Sequence, residues 1–154
     1  MHRLALVIAT CGPVGYVPLA PGTAGSAVGL ALFWMVRAAG SSTLEIAIVA
    51  LVAPLGVWSA GVAERHFGRV DPGTVVVDEV LGQLVTLMFL PVNTTGALVG
   101  FLVFRLLDVV KPWPARRLEA WPGGLGVMAD DGMAALYGNV IMRGLVALAP
   151  AWLT

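Results

Sequence analysis

The sequence predicts an all-α fold, a polytopic bundle of about four to five apolar helices in a membrane, with its functional site at the cytoplasmic face. Three observations predict it. The 154 residues are 58% hydrophobic and 12% charged, with mean hydropathy +0.90, whereas a soluble domain carries about 25% charge. The apolar residues fall in long runs separated by glycine, proline and polar clusters, as expected for helices in lipid. The acids Asp78, Glu79, Asp108, Asp130 and Asp131 sit at the ends of those runs. A carboxylate near hydrocarbon costs roughly 2.5–3.5 kcal/mol on insertion scales. Five converging acids therefore need a partner, and clustered oxygens are what a hard cation such as Mg²⁺ requires.

Composition excludes several alternatives. The formal net charge is zero, so no overall field recruits nucleic acid. One cysteine, Cys11, allows neither an internal disulfide nor a cysteine-built zinc site. His2 and His66 are too few for a histidine metal centre and read as solvated or interfacial residues. The length suits one domain spanning 1–154.

Taken in order, the chain opens with Arg3 and a short apolar run, Leu4–Ala9. The run is at the low edge of the roughly 7–15 residues of a signal peptide, and Pro13 and Pro18 interrupt the residues after it. Residues 1–20 are read as mature chain, a short re-entrant or interfacial segment. Five apolar stretches come next. The first runs from about Ala24 to Ala39 and the second from Thr43 to about Ala63, with Pro54 expected to kink it. The third opens at Asp78 and ends near Leu90-Pro91. The fourth runs from Gly96 to Val110, stopped by Pro112, and the fifth from Asp130 or Asp131 to Ala149. At 1.5 Å per residue the second and fifth are long enough to cross a core of roughly 30 Å, and the third and fourth are short for it. Gly25-x-x-x-Gly29, Gly96-x-x-x-Gly100 and the stripe Ala134, Ala135, Gly138 read as close-packing surfaces. Arg143, deep in the last stretch, is expected to reach outward.

Short, nearly uncharged loops at 40–42 and 92–95 alternate with long charged segments at 64–77 and 111–129. Antiparallel neighbours then put residues 1–23, 64–77 and 111–129 on one side. That side holds Arg3, Arg65, Arg69, Lys111, Arg116 and Arg117, and the positive-inside rule makes it cytoplasmic. Every acid except Glu45 falls on the same side.

Four motifs carry chemistry. Pro21-Gly22-Thr23-Ala24-Gly25-Ser26 precedes the first long helix. Its glycines and hydroxyls fit either a phosphate at a helix N-terminus or a cap at Thr23. Asp78 and Glu79 open a helix, where the macrodipole favours acids, and Gln83 and Thr86 extend a polar stripe inward. Arg105, Asp108 and Lys111 step by three along one helix, as an ion-pair ladder or as phosphate clamps around a metal ligand. Asp130 and Asp131 come after Gly123-Gly124-Leu125-Gly126, and two adjacent acids opposite another acid pair favour metal binding. Trp113 and Trp121 read as interface anchors.

Ala-Pro-Gly-Thr-Ala-Gly-Ser (20–26), Val-Asp-Glu-Val-x-Gly (77–82), Phe-Arg-x-x-Asp-x-x-Lys-Pro-x-Pro (104–114) and Gly-Gly-x-Gly-Val-Met-x-Asp-Asp (123–131) together resemble the phosphatidylglycerophosphatase A family. They occur in the family's order and cover most of the chain. One departure is Ala134-Ala135, where the family has Ala-Gly. The resemblance implies a Mg²⁺-dependent lipid phosphatase of the bacterial inner membrane, active at the cytoplasmic face on phosphatidylglycerophosphate. Asp78, Glu79, Asp108, Asp130 and Asp131 would hold one or two Mg²⁺. Arg105, Lys111 and the segment with Gly22, Thr23, Gly25 and Ser26 would bind phosphate. Catalysis would fall to Asp78, Glu79, Asp108 and Asp131, one of them orienting the attacking water. Two rivals stay open. A phospholipid phosphotransferase would need a second alcohol substrate. A cation transporter would place acids near the midplane of an inverted repeat, and no repeat is visible.

Overall fold

The computed structural model describes residues 1–154. Eight α-helices succeed one another without a strand: α1 (His2–Ala9), α2 (Pro21–Ala38), α3 (Ser42–Phe67), α4 (Val77–Leu87), α5 (Thr94–Val110), α6 (Ala115–Leu118), α7 (Gly124–Leu148) and α8 (Pro150–Leu153). One turn of 3₁₀ helix lies at Val14–Tyr16. The five expected apolar stretches are α2, α3, α4, α5 and α7.

Two boundaries differ in a way that matters for the site. α2 starts at Pro21, in the first turn, where proline's fixed φ suits a helix. Gly22–Ser26 is therefore helix, not a loop. α7 starts at Gly124, so the glycine-rich run opens the helix, and Asp130 and Asp131 lie in its second turn. α1 is about 12 Å long, too short to cross a bilayer, and packs on α3. α3 continues through Pro54. It is the one helix long and apolar enough to cross a membrane, and most of its apolar stretch is not buried in the bundle. His2 and His66 are both exposed.

The short helix α4 occupies the middle, packed on α2, α3, α5 and α7. All its residues except Glu79 and Val85 are buried. Such enclosure needs neighbours without side chains. A Cβ on Gly29 of α2 would lie 2.8 Å from both Val80 O and Gln83 Cβ, and one on Gly25 would lie 2.9 Å from Val76 O. The fully buried ring of Phe104 fills the space over Gly82. On α7, Ala134, Ala135 and Gly138 are buried, and Gly138 faces Thr86.

The far end of α4 stops inside the bundle, and side chains from three helices satisfy the backbone there. Asn139 Nδ2 donates to Val85 O (3.1 Å), Thr86 O (3.1 Å) and Met88 O (3.0 Å). Arg143 Nε donates to Asn139 Oδ1 at 2.8 Å, so Arg143, although exposed, anchors a neighbour as well as reaching outward. Arg37 Nη1 donates to Leu90 O at 2.5 Å, and Phe89 N donates to Glu45 Oε2 at 2.8 Å. The outer surface is apolar: Leu98, Leu102, Leu106 and Val109 form an exposed stripe along α5.

Asn139→Leu would remove the donor shared by the carbonyls of Val85, Thr86 and Met88. Val85 O would keep the Met88 N–H and Met88 O would keep Arg143 Nη2 at 3.5 Å, leaving Thr86 O without a side-chain donor. An unsatisfied buried acceptor costs about 1–3 kcal/mol. The expected outcome is a lower melting temperature in detergent, while Val140→Ala on the exposed face leaves it unchanged. Equal melting temperatures for Asn139→Leu and wild type would show that these contacts contribute nothing.

Candidate active site

The N-terminal ends of α2 and α4, the C-terminal end of α5, the second turn of α7 and the loop before α4 enclose one cavity of about 300 Å³. Ala20, the residue before α2, offers no side-chain cap. The N–H of Ala24 bonds Ala20 O, which leaves the N–H groups of Gly22 and Thr23 free at the cavity. Thr23 lies inside the helix and is not its N-cap, so the capping alternative does not hold. Gly22 and Thr23 line the cavity; Gly25 and Ser26 do not. Gly25 is taken up by its approach to Val76. Ser26 is buried, donates to Gly22 O at 3.0 Å and accepts from Arg105 Nη1 at 3.5 Å.

All five acids singled out in the sequence line the cavity, but they divide into two sets. Asp78, Glu79 and Asp131 each place a carboxylate oxygen within 4.8 Å of the others. Asp78 Oδ1, Glu79 Oε2 and Asp131 Oδ2 are buried without a hydrogen-bond partner. Three neighbouring carboxylates with unsatisfied oxygens repel one another, and a divalent cation supplies what they lack. The donor set is all hard oxygen, so the residues fit such an ion. The helix dipole accounts for acids in the first turn of α4, but not for Asp131 in the second turn of α7.

Asp108 and Asp130 instead hold the two cations. Arg105 Nη1 lies 2.6 Å from Asp108 Oδ2 and 3.6 Å from Glu79 Oε1. Lys111 Nζ lies 2.6 Å from Asp130 Oδ2 and 3.3 Å from Glu119 Oε2. The i,i+3 ladder therefore stops at Asp108. α5 ends at Val110, and the left-handed backbone of Lys111 (φ 47°) turns its side chain towards α7. Burial alone would lower the Lys111 pKa; the hydrogen bond and charge of Asp130, with Glu119, reverse this and raise it.

Asp71 also lines the cavity, although its Asp-Pro-Gly context reads as a turn in the sequence. Its φ is 42°, and its N–H donates to Glu64 Oε1 at 3.1 Å. The one available signal was a further acid seven residues before Asp78. Cys11 is outside the cavity lining, and burial, then the charge of Glu79, pushes its thiol up to about 11. An acidic cluster beside two cations and free helix N–H groups can bind a metal and a phosphate side by side.

The phosphatidylglycerophosphatase A family profile matches residues 7–146. A Bacteroides thetaiotaomicron protein named as a candidate phosphatidylinositol-3-phosphatase is 35% identical, over 90% of this chain and 91% of its own. The phosphatidylglycerophosphatase A of Escherichia coli K12 is 36% identical, over 86% of this chain and 75% of its own. That of Haemophilus influenzae is 31% identical, over 83% and 80%. No solved structure matches the chain.

Repulsion among the three acids makes a thermodynamic prediction. A cation at about 100 times its dissociation constant adds about 2.7 kcal/mol of stability, so Mg²⁺ should raise the melting temperature of chelator-treated protein. Asp78→Asn, Glu79→Gln and Asp131→Asn should each raise it without metal and diminish the response to Mg²⁺. Variants that melt below wild type without metal, yet respond to Mg²⁺ in full, would show that the acids serve the fold alone.

Proposed function

The chain belongs to the phosphatidylglycerophosphatase A family and is a phosphatase, and on that premise we propose that it hydrolyses phosphatidylglycerophosphate to phosphatidylglycerol and phosphate, with Mg²⁺, at the cytoplasmic face of a bacterial inner membrane. The observation that carries this reading is the division of one cavity into an acidic set and a cationic set. The exposed apolar stripe on α5 and the apolar helix α3 support a polytopic bundle in lipid, since a contiguous apolar surface of that kind marks a membrane or partner contact.

Asp78, Glu79 and Asp131 would hold Mg²⁺. When bound, the ion supplies charge stabilisation to the phosphoryl group and lowers the pKa of the attacking water. The remaining work belongs to the chain. Arg105, fixed by Asp108, and the N–H groups of Gly22 and Thr23 take non-bridging phosphate oxygens. Lys111, fixed by Asp130 and Glu119, offers a second positive charge in the same cavity. Holding both cations in ion pairs keeps them aimed before substrate arrives, so little reorganisation accompanies the build-up of charge in the transition state. No serine, cysteine or histidine lines the cavity, which favours direct attack by water over a covalent intermediate on those side chains.

The name of the Bacteroides relative raises a second headgroup, a phosphoinositide. Both substrates present a terminal phosphomonoester on a lipid, and the same groups would bind it. Purified protein in mixed micelles should release phosphate from phosphatidylglycerophosphate, stop on chelation and recover with Mg²⁺. Phosphatidylinositol 3-phosphate should be cleaved more slowly, and phosphatidylglycerol not at all. Arg105→Ala and Lys111→Ala should each lower kcat/KM on the order of 10²-fold or more, the loss seen for oxyanion-type donors. Preferential cleavage of the phosphoinositide would overturn the substrate, and full activity in chelator would overturn the metal.

A further inference from the structure

Six acids line the cavity, and five of them are committed. Three form the cluster, and two hold Arg105 and Lys111. Asp71 is the sixth. Its carboxylate makes no hydrogen bond and no ion pair within the protein, although its own N–H is tied to Glu64. It is also placed differently. Asp78 and Asp131 are buried, whereas Asp71, like Glu79 and Asp108, is partly exposed, and of these three it alone lies on a loop, the one that leads into α4.

Hydrolysis of a phosphomonoester breaks the bond between phosphorus and the ester oxygen while a water oxygen bonds phosphorus from the opposite side. The attacking water belongs with the buried cluster. The ester oxygen must then face outward, because the rest of the lipid enters from there. A glyceryl oxygen is a poor leaving group unless it gains a proton as it departs. We propose that Asp71 is a further catalytic residue, the general acid that delivers this proton to the departing glyceryl oxygen. The balance closes over one turnover. The P–O bond to the glyceryl oxygen breaks and that oxygen takes the Asp71 proton. The water oxygen bonds phosphorus and gives a proton to a cluster carboxylate. That proton then leaves with phosphate or to solvent, while Asp71 takes one up from solvent. This inference rests on the phosphatase reading above.

The surroundings of Asp71 fit the role. Burial raises its pKa; Lys111 lowers it; Glu119, Asp108 and Glu64 raise it again. An upward shift is the direction that favours a carboxyl acting as a proton donor.

The test uses Asp71→Asn in the full chain. Asparagine tolerates the left-handed backbone at φ 42° and keeps the N–H to Glu64, so the variant should melt with wild type and bind Mg²⁺ as tightly. Turnover is compared on phosphatidylglycerophosphate and on a lipid-anchored nitrophenyl phosphate, whose phenolate departs without a proton. The expected result is a loss on the order of 10²-fold or more on the glyceryl ester, the usual contribution of a general acid, and a loss below about tenfold on the aryl ester. Equal losses on both esters would assign Asp71 to metal or phosphate positioning and overturn the proposal, as would no loss on either. Wild-type protein inert toward both esters would overturn the phosphatase reading and this inference with it.

Discussion

A helix of eleven residues enclosed on every side must have its ends satisfied by protein, and α4 is such a helix. Each end of a helix leaves four backbone groups unpaired. In a dry interior those groups and any charge near them must find partners locally. The two ends of α4 meet that demand in opposite ways. At Val85–Met88 the carbonyls receive Asn139, itself braced by Arg143. At Val77–Glu79 the positive end of the dipole attracts acids, but too many gather there for the dipole to balance. Asp131 joins them from α7 and leaves unpartnered oxygens. One end is closed by the chain; the other keeps carboxylate oxygens that no group of the protein satisfies.

That difference explains where the glycines fall. Close packing on α4 is needed along its whole length, and Gly25 and Gly29 on α2 provide it. Gly22, one turn earlier, faces the site. A Cβ there would overlap Glu79 Oε1 and stand 3.1 Å from the Arg105 guanidinium. One helical face thus changes from packing surface to site wall within a turn, which is why the motif containing these glycines combines structural and chemical residues.

The sequence made the local and repetitive features legible. Five apolar runs, the acids at their ends and the small-residue faces all emerge from composition and spacing. What it did not reveal depends on contacts far apart in the chain. Lys111 reads as the next rung after Asp108, yet its left-handed backbone sends it to Asp130, nineteen residues on. Asn139 looks like an isolated polar residue until it meets carbonyls more than fifty residues earlier. Asp71 is hidden by a turn motif that already accounts for it. The glycine-rich run before Asp130 looked like a loop because glycine is a poor helix former. Here Gly124 approaches Gly61 N, where a Cβ would come to 2.7 Å, and close packing on α3 outweighs the propensity.

Under the proposed function, α5 joins the two environments a lipid phosphatase must serve. Leu98, Leu102, Leu106 and Val109 face outward along one side, while Arg105 and Asp108 line the cavity. At 3.6 residues per turn Asp108 points well away from Leu106 and Val109 at nearly the same height, with Arg105 at the border between the two faces. The acyl chains of a substrate could then lie against the apolar face while its phosphate reaches Arg105 around the end of the same helix. The charge on Arg105 is tolerable so close to an apolar surface because Asp108 lies 2.6 Å away. The ion pair that orients the phosphate clamp is therefore also what allows the clamp to sit beside lipid.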